Sequence, residues 1–233
     1  MIDKLLKDLI FYLPAQILPA LVGFFALPIL TSLLSVSDFG YYNIILSAVS
    51  ILSIVVGWQS VSIIRFLPQY LGNESGMKQY LKETISYLYV SLLITNITLF
   101  ALFKISNISS IIYIDTFILI IVVLSLFIVN DYYSSLLRAK GHSFNYSIAF
   151  SIRNVGGVII GLLLLYFNNP TVNNMLIGIV LSNIASLVFT IIIAIRKKIF
   201  FYPSLLKYSK NSFIRQISYA MPLVATNIAA LIL

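Results

Sequence analysis

Long charge-free stretches alternate along the chain with short segments that carry most of its charges. The first stretch runs between Asp8 and Asp38, the next between Asp38 and Arg65, and a third between Glu83 and Lys104. Crossing a bilayer takes about 20 predominantly apolar residues in helical form. Each stretch therefore predicts one membrane-spanning helix. The six predicted helices lie near residues 10–34, 43–67, 84–104, 111–133, 143–167 and 173–195.

Two further features complete this pattern. Between residues 143 and 195 the only charge is Arg153, and the Asn-Asn-Pro turn at 168–170 divides that run into two helices. A last apolar segment begins near residue 217 and continues to Leu233. We therefore predict that the protein has an all-α fold and is a polytopic helical membrane protein. Residues 1–215 would form one six-helix bundle, and residues 216–233 would be the start of a seventh helix.

Composition excludes most other classes of protein. Among the 233 residues, 60% are hydrophobic and 9% are charged, whereas a soluble domain carries about 25% charged residues. A soluble enzyme, a disordered tail and a nucleic-acid-binding domain are therefore excluded. There is no cysteine and one histidine, so we expect no disulfide and no metal site. A phosphate-binding G-x-x-x-x-G-K-[ST] loop is lacking, and we expect no cofactor and no enzymatic activity.

The positions of the basic residues predict the orientation. With the N-terminus in the cytoplasm, only Lys104 of the 15 Lys and Arg residues falls outside, and only Arg153 falls within a helix. Cytoplasmic loops of membrane proteins carry an excess of Lys and Arg. We therefore expect a multi-pass protein of the plasma (inner) membrane with a cytoplasmic N-terminus. The net charge of +8 then reflects contacts with anionic membrane lipids rather than with nucleic acid.

Three short segments carry a family resemblance. The first is the turn Ser-Val-Ser-Asp-Phe-Gly at 35–40 together with the helix that ends in Arg65. The second is the basic turn Leu-Leu-Arg-Ala-Lys-Gly-His at 136–142, and the third is Ser-Tyr-Ala-Met-Pro-Leu at 218–223. In this order and spacing the chain resembles the polysaccharide-biosynthesis (oligosaccharide flippase) proteins of the multidrug/oligosaccharidyl-lipid/polysaccharide exporter superfamily.

The resemblance implies a function and a larger whole. Proteins of this family have two six-helix bundles, so we expect the chain to be a fragment comprising the first bundle and the start of the second. The implied activity is flipping of an undecaprenyl-diphosphate-linked oligosaccharide by alternating access. The implied partners are this lipid-linked substrate, a coupling ion (H⁺ or Na⁺), and the machinery that polymerises and exports the glycan.

Arg153 is the most informative candidate for the substrate path. It lies about 15 Å into its helix, where an Arg costs about 2.5–3.5 kcal/mol to insert and normally faces protein or water. Asn154 and the glycines at 157 and 161 form a small, polar stripe beside it. Arg binds phosphate with paired hydrogen bonds. The alternative is a structural ion pair with Asp131, which could also serve in coupling.

Other candidates lie at the ends and within the first helices. Arg65, at the inner end of the second helix, could contact substrate or reach the headgroups. Pro14, Pro19 and Pro28 could make the first helix a hinge, because each removes a backbone hydrogen bond. Ser37 or Asp38 would cap the second helix.

Two other functions remain open. A cation-coupled multidrug exporter of the same superfamily would use a carboxylate in the membrane, but the predicted first helix contains no Asp or Glu. The chain could also be a membrane subunit that does not transport, or a remnant of a transporter.

Overall fold

The computed structural model describes residues 2–70, 72–105, 112–197 and 208–232, and there the chain forms eight α-helices and no strand. The helices are α1 (Ile2–Leu33), α2 (Val36–Val56), α3 (Trp58–Phe66), α4 (Glu74–Ile105), α5 (Ile114–Ala139), α6 (Ser143–Phe167), α7 (Val172–Arg196) and α8 (Lys210–Ile232).

Six of these helices confirm the predicted fold class. Within the described residues, α2, α4, α5, α6, α7 and the Tyr12–Leu33 part of α1 are each long and apolar enough to cross a membrane. Their order matches that of the six predicted helices. The protein is a polytopic helical membrane protein.

The second predicted helix, 43–67, is wrong both in its start and in its continuity. It begins at Val36, and its N-cap is Ser35 rather than Ser37 or Asp38. The Ser35 hydroxyl accepts a hydrogen bond from the Asp38 backbone N–H at 3.1 Å and donates to the Asp38 carboxylate at 2.7 Å. This reciprocal arrangement satisfies a backbone donor that would otherwise lack a partner at the helix start.

Gly57 divides that predicted helix into α2 and α3. The Gly57 N–H still donates to the Ser53 carbonyl at 2.8 Å, but its ψ of 22° leaves helical geometry. A Cβ atom at this position would lie 2.6 Å from the Ser53 oxygen. The break therefore depends on the missing side chain, since any other residue would collide with the preceding turn.

Several predicted helix ends are also displaced into charged sequence. α4 begins at Glu74, ahead of the predicted 84, and α5 extends to Ala139, beyond the predicted 133. α8 begins at Lys210, so the predicted boundary between residues 215 and 216 falls within a helix. Charge marks the edge of the apolar layer but does not end a helix, because Lys, Glu and Arg are good helix formers.

Small residues bring α6 and α7 together. A Cβ atom on Gly178 would lie 2.4 Å from the Gly161 backbone nitrogen, and one on Gly157 would lie 3.0 Å from the Ser182 hydroxyl. The Ser186 hydroxyl donates to the Ala149 carbonyl across the same interface at 2.8 Å. Gly157 and Gly161 of α6, together with Gly178 of α7, therefore allow the two helices to pack closely.

α8 packs against the preceding helices through an apolar cluster. Trp58 of α3, Tyr87 of α4, and Ala220 and Val224 of α8 are all buried in it. Buried polar side chains join the same helices: the Ser62 hydroxyl donates to the Gln216 amide oxygen at 3.0 Å. α8 is thus held in a defined position beside α3, where it can contribute side chains to the space that these helices surround.

Candidate functional site

A polar cavity of about 210 Å³ lies between the two parts of the broken helix, α5, α6 and α8. The break at Gly57 lies on its wall, and the hydroxyls of Ser53 and Ser60 flank the break. Tyr146 of α6 and Asn227 of α8 complete the polar lining from the other helices. These side chains place hydroxyl and amide groups inside the helical bundle.

One face of α5 supplies the charged part of this lining. Asp131, Ser134, Ser135 and Arg138 all line the cavity. Residues three, four and seven positions apart lie on the same side of a helix, so the carboxylate and the guanidinium are two turns apart on one wall. The cavity therefore presents both an anionic and a cationic group.

Asp131 forms an ion pair with Arg153. The Nη1 atom of Arg153 lies 2.5 Å from Oδ1 of Asp131. The side chain of Asp131 is 38% exposed, and that of Arg153 is 12% exposed. The ion pair predicted as an alternative is therefore present, with the carboxylate at the cavity wall and the arginine behind it.

Arg153 is embedded among aromatic rings rather than in the cavity lining. Its guanidinium carbon lies 4.8 Å from the ring centre of Phe127 and 5.8 Å from that of Phe150. Both distances are within the range of a cation–π contact. Its Nε atom is buried and has no hydrogen-bond partner in the described part of the chain. From this position, Arg153 is in contact with the cavity wall through Asp131.

The other residues singled out from the sequence lie away from this lining. The Asn154 amide donates to the Phe150 carbonyl of its own helix at 2.9 Å. Arg65 is exposed at the end of α3, and its guanidinium carbon lies 5.8 Å from the ring centre of Tyr219 on α8. The structure thus brings together Asp131 and Arg153 but places Asn154 and Arg65 elsewhere.

The three prolines of the first helix all lie inside α1. Pro14, Pro19 and Pro28 do not break it, and it runs continuously from Ile2 to Leu33. Pro14 lines a separate apolar groove between α1 and α6. A hinge at these prolines stays a prediction.

Arg138 is the charged residue of the cavity lining that was not predicted as a site residue from the sequence. In the sequence Arg138 belongs to the basic turn at 136–142, but in the structure it lines the cavity. Its guanidinium carbon lies 5.1 Å from the ring centre of Tyr146 and 5.9 Å from that of Tyr12. Among the described residues no ion pair involves Arg138. A signal was available: Asp131, Ser134, Ser135 and Arg138 recur at helical spacing on one face.

A second polar group is buried outside the cavity and joins α3, α4 and α8. Ser62 lies 3.1 Å from the Tyr80 hydroxyl, and the Thr84 hydroxyl donates to the Gln216 amide oxygen at 3.4 Å. Gln216 in turn donates to the Ser212 hydroxyl at 3.0 Å. Because buried polar groups are costly unless they are hydrogen-bonded, this cluster specifies how α8 packs against α3.

In the described residues no three His, Asp or Glu side chains come together in a group that could hold a metal ion.

Comparisons with known proteins agree with this architecture. A family model described as polysaccharide biosynthesis protein matches residues 5–233. No curated protein matches the chain in sequence. Among solved structures, a multidrug resistance transporter of the MATE family and MOP superfamily, in an outward-facing conformation, superimposes with a TM-score of 0.72 at 13% identity. The match covers 95% of this chain and 52% of that one.

A second solved structure shows the same relationship. A MATE protein in complex with Br-NRF has a TM-score of 0.67 at 13% identity, over 96% of this chain and 53% of that one. The chain therefore spans about half the length of these two structures, and at this identity the likeness concerns the fold alone. The match of the family model over nearly the whole chain places the protein in the polysaccharide biosynthesis protein family.

Proposed function

We propose that this chain is the first half of a membrane transporter that flips an undecaprenyl-diphosphate-linked oligosaccharide for surface polysaccharide biosynthesis. The observation that carries the proposal is the cavity between α2, α3, α5, α6 and α8, with Arg138 and the Asp131–Arg153 pair on or behind its wall. A polar, charged cavity within apolar helices suits a cargo whose head is polar and whose tail is apolar.

The lining matches the chemistry of that head. Hydroxyl and amide groups from Ser53, Ser60 and Asn227 can exchange hydrogen bonds with sugar hydroxyls. The guanidinium of Arg138 can bind diphosphate oxygens, and its planar fork favours paired hydrogen bonds to phosphate. Because Arg153 neutralises Asp131, Arg138 supplies the net positive charge of the cavity.

The remaining parts of the proposal concern the whole protein. The helices before α8 would form the first bundle and α8 the opening of a second, and the two bundles would rock against each other to expose the cavity to either side. We place the N-terminus in the cytoplasm and the protein in the plasma membrane. The partners are a coupling ion (H⁺ or Na⁺) and the machinery for glycan polymerisation and export.

A cation-coupled multidrug exporter is the second candidate, and Asp131 is the observation in its favour. Its carboxylate is 38% exposed at the cavity wall, where it could attract a cationic drug. The ion pair with Arg153 weighs against this, since the carboxylate is already neutralised. Efflux of a cationic dye that depends on Asp131 would favour this alternative over the flippase.

The proposed function is tested by substitutions at Arg138. In cells whose surface polysaccharide depends on the gene that encodes this chain, we compare Arg138→Lys, Arg138→Gln and Arg196→Gln. Hydrogen bonds to charged groups contribute about 1.5–3 kcal/mol, so Arg138→Gln should lower export at least about tenfold. Arg138→Lys should fall between Arg138→Gln and the wild type. Arg196 is exposed at the end of α7, and its substitution should leave export unchanged.

Membrane levels of each variant are measured on the same cells by immunoblotting, so that loss of protein is separated from loss of transport. Normal export with Arg138→Gln at normal protein levels would contradict the proposal. Equal losses in Arg138→Gln and Arg196→Gln would also contradict it, because they would indicate an effect of overall charge.

A further inference from the structure

A second, apolar space lies along α6, the helix that also contributes Tyr146 to the polar cavity. It is a groove of about 350 Å³ between α1 and α6, whose exposed atoms are almost all carbon. Pro14 and Leu18 line it from α1, and Phe144, Ile148 and Ile152 line it from α6. Tyr146 lines the cavity, while the next residue, Ser147, lines the groove.

Two aromatic rings and a cation connect α1, α5 and α6 beside the polar cavity. The ring centres of Tyr12 and Tyr146 are 5.6 Å apart, and Tyr12 is two residues from Pro14 on the groove wall. The guanidinium carbon of Arg138 lies 5.1 Å from one ring centre and 5.9 Å from the other. Arg138 is exposed, and no ion pair within the described residues involves it, so its N–H groups are available for a phosphate.

The depth of these features fits a lipid. Arg138 lies in the last turn of α5, at the end of the bundle where the next helix starts at Ser143. The groove begins at Phe144 and extends to Ile152, which is about 12 Å along α6 toward the middle of the membrane. A membrane lipid has this geometry: its phosphate is at the interface and its chain runs toward the midplane.

We propose that the phosphate of a lipid-linked sugar binds Arg138 with its sugar in the polar cavity and the first part of its lipid chain in the groove between α1 and α6. Tyr12 and Tyr146 then hold the junction between head and chain. This inference rests on the proposed function and adds to it the route of the chain, which leaves the protein beside α1. Pro14 contributes to that route as part of the groove wall.

Photocrosslinking tests where the chain lies. The photoreactive residue p-benzoylphenylalanine is placed at Ile148, in the groove, and for comparison at Ile184, which is 45% exposed on α7. The protein is reconstituted in phosphatidylcholine nanodiscs with radiolabelled undecaprenyl-diphosphate-linked sugar. We expect labelling at Ile148 to exceed that at Ile184 at least about tenfold, and Arg138→Gln to reduce it to the level at Ile184.

A second variant tests the groove without removing a charge. Ser151→Phe adds a ring on the groove wall, because Ser151 lines the groove and lies outside the polar cavity's lining. It should lower labelling at Ile148 at least fivefold while the variant's melting temperature stays within a few degrees of the wild type. Unchanged labelling with Ser151→Phe would overturn the inference.

The two proposals fail in different ways. If export depends on Arg138 but labelling at Ile148 equals that at Ile184, the flippase stands and the groove inference is wrong. If labelling at Ile148 is strong and depends on Arg138 but export does not, the lipid site stands and the proposed transport is wrong. If excess phosphatidylglycerol displaces the probe from Ile148 as well as unlabelled substrate does, the groove holds an ordinary phospholipid, and the inference is also wrong.

Discussion

Removing either partner of the Asp131–Arg153 pair should destabilise the protein, but to different extents. Asp131→Asn leaves a cation whose side chain is 12% exposed, whereas Arg153→Gln leaves a carboxylate that is 38% exposed at the cavity. Stranding a buried charge costs about 3–5 kcal/mol, while a solvent-accessible ion pair is worth about 1 kcal/mol or less. The aromatic rings beside Arg153 offset part of its cost, about 0.5–2 kcal/mol.

From these values, we expect a loss of about 3 kcal/mol in unfolding free energy for Asp131→Asn and about 1 kcal/mol for Arg153→Gln. The double variant removes both charges, so it should be more stable than Asp131→Asn by about 2 kcal/mol. Asp115→Asn, on the same helix but exposed, is the matched control. It should cost less than about 1 kcal/mol, the effect of an acidic residue in the first turn of a helix.

The assay is equilibrium unfolding in mixed dodecylmaltoside and dodecylsulfate micelles. The protein has a single tryptophan, Trp58, which is buried against Tyr87 and Phe213, so its fluorescence reports on the packing of α3, α4 and α8. Circular dichroism reports on the helices as a whole. The reasoning is refuted if Arg153→Gln costs as much as Asp131→Asn, or if the double variant is no more stable than Asp131→Asn.

Three further predictions test packing, pH dependence and orientation. Gly178→Ala would place a methyl group 2.4 Å from the backbone of α6, and it should lower the free energy of unfolding in micelles by about 3 kcal/mol or more. Gly23 has nothing within 4 Å of the position of a Cβ atom, so Gly23→Ala should lower it by less than about 1 kcal/mol. Similar losses for the two variants would refute the steric argument. Burial, and then two nearby lysine ammonium groups, lower the pKa of His142 in the turn between α5 and α6. The stability that the neutral imidazole contributes is therefore present above the unfolded pKa of about 6.5 and is lost as the pH falls below it. His142→Gln should lose less stability than the wild type between about pH 7 and 5, and equal losses would contradict this. With no native cysteine, a cysteine at Ser37 should react with an impermeant thiol reagent added to intact cells and one at Ser75 should not, and the opposite result would reverse the proposed orientation.

The helices could be predicted because charge is expensive in a bilayer. Twenty consecutive residues without a charge are rare by chance. The charge-free stretches from Asp8 to Asp38, from Asp38 to Arg65 and from Glu83 to Lys104 therefore located the first three spans. The predicted ends of the helices were less accurate, because a helix such as α4 continues beyond the apolar stretch through Glu83 and Lys78. The break at Gly57 had no sequence signal of its own, because glycine is tolerated in membrane helices.

The site could be predicted only in part. The sequence indicated that Arg153 must face protein or water, and it offered Asp131 as a partner. It did not indicate that the carboxylate lies at the cavity wall with the arginine behind it. Nor did it indicate that Arg138 meets Tyr12, which is far away in the chain and reaches it only because α1 packs against α6.

The sequence alone therefore determined the class of protein, the number of spans and which ends of the helices carry the charged residues. Which faces of those helices meet was decided by the tertiary structure. In water, an apolar stripe marks the face that packs, but in a bilayer the lipid-facing and the packed faces are both apolar. Contacts such as the close approach of Gly178 to Gly161, the ion pair of Asp131 with Arg153, and the junction at Arg138 follow from shape and from rare polar groups, which become neighbours only once the helices are assembled.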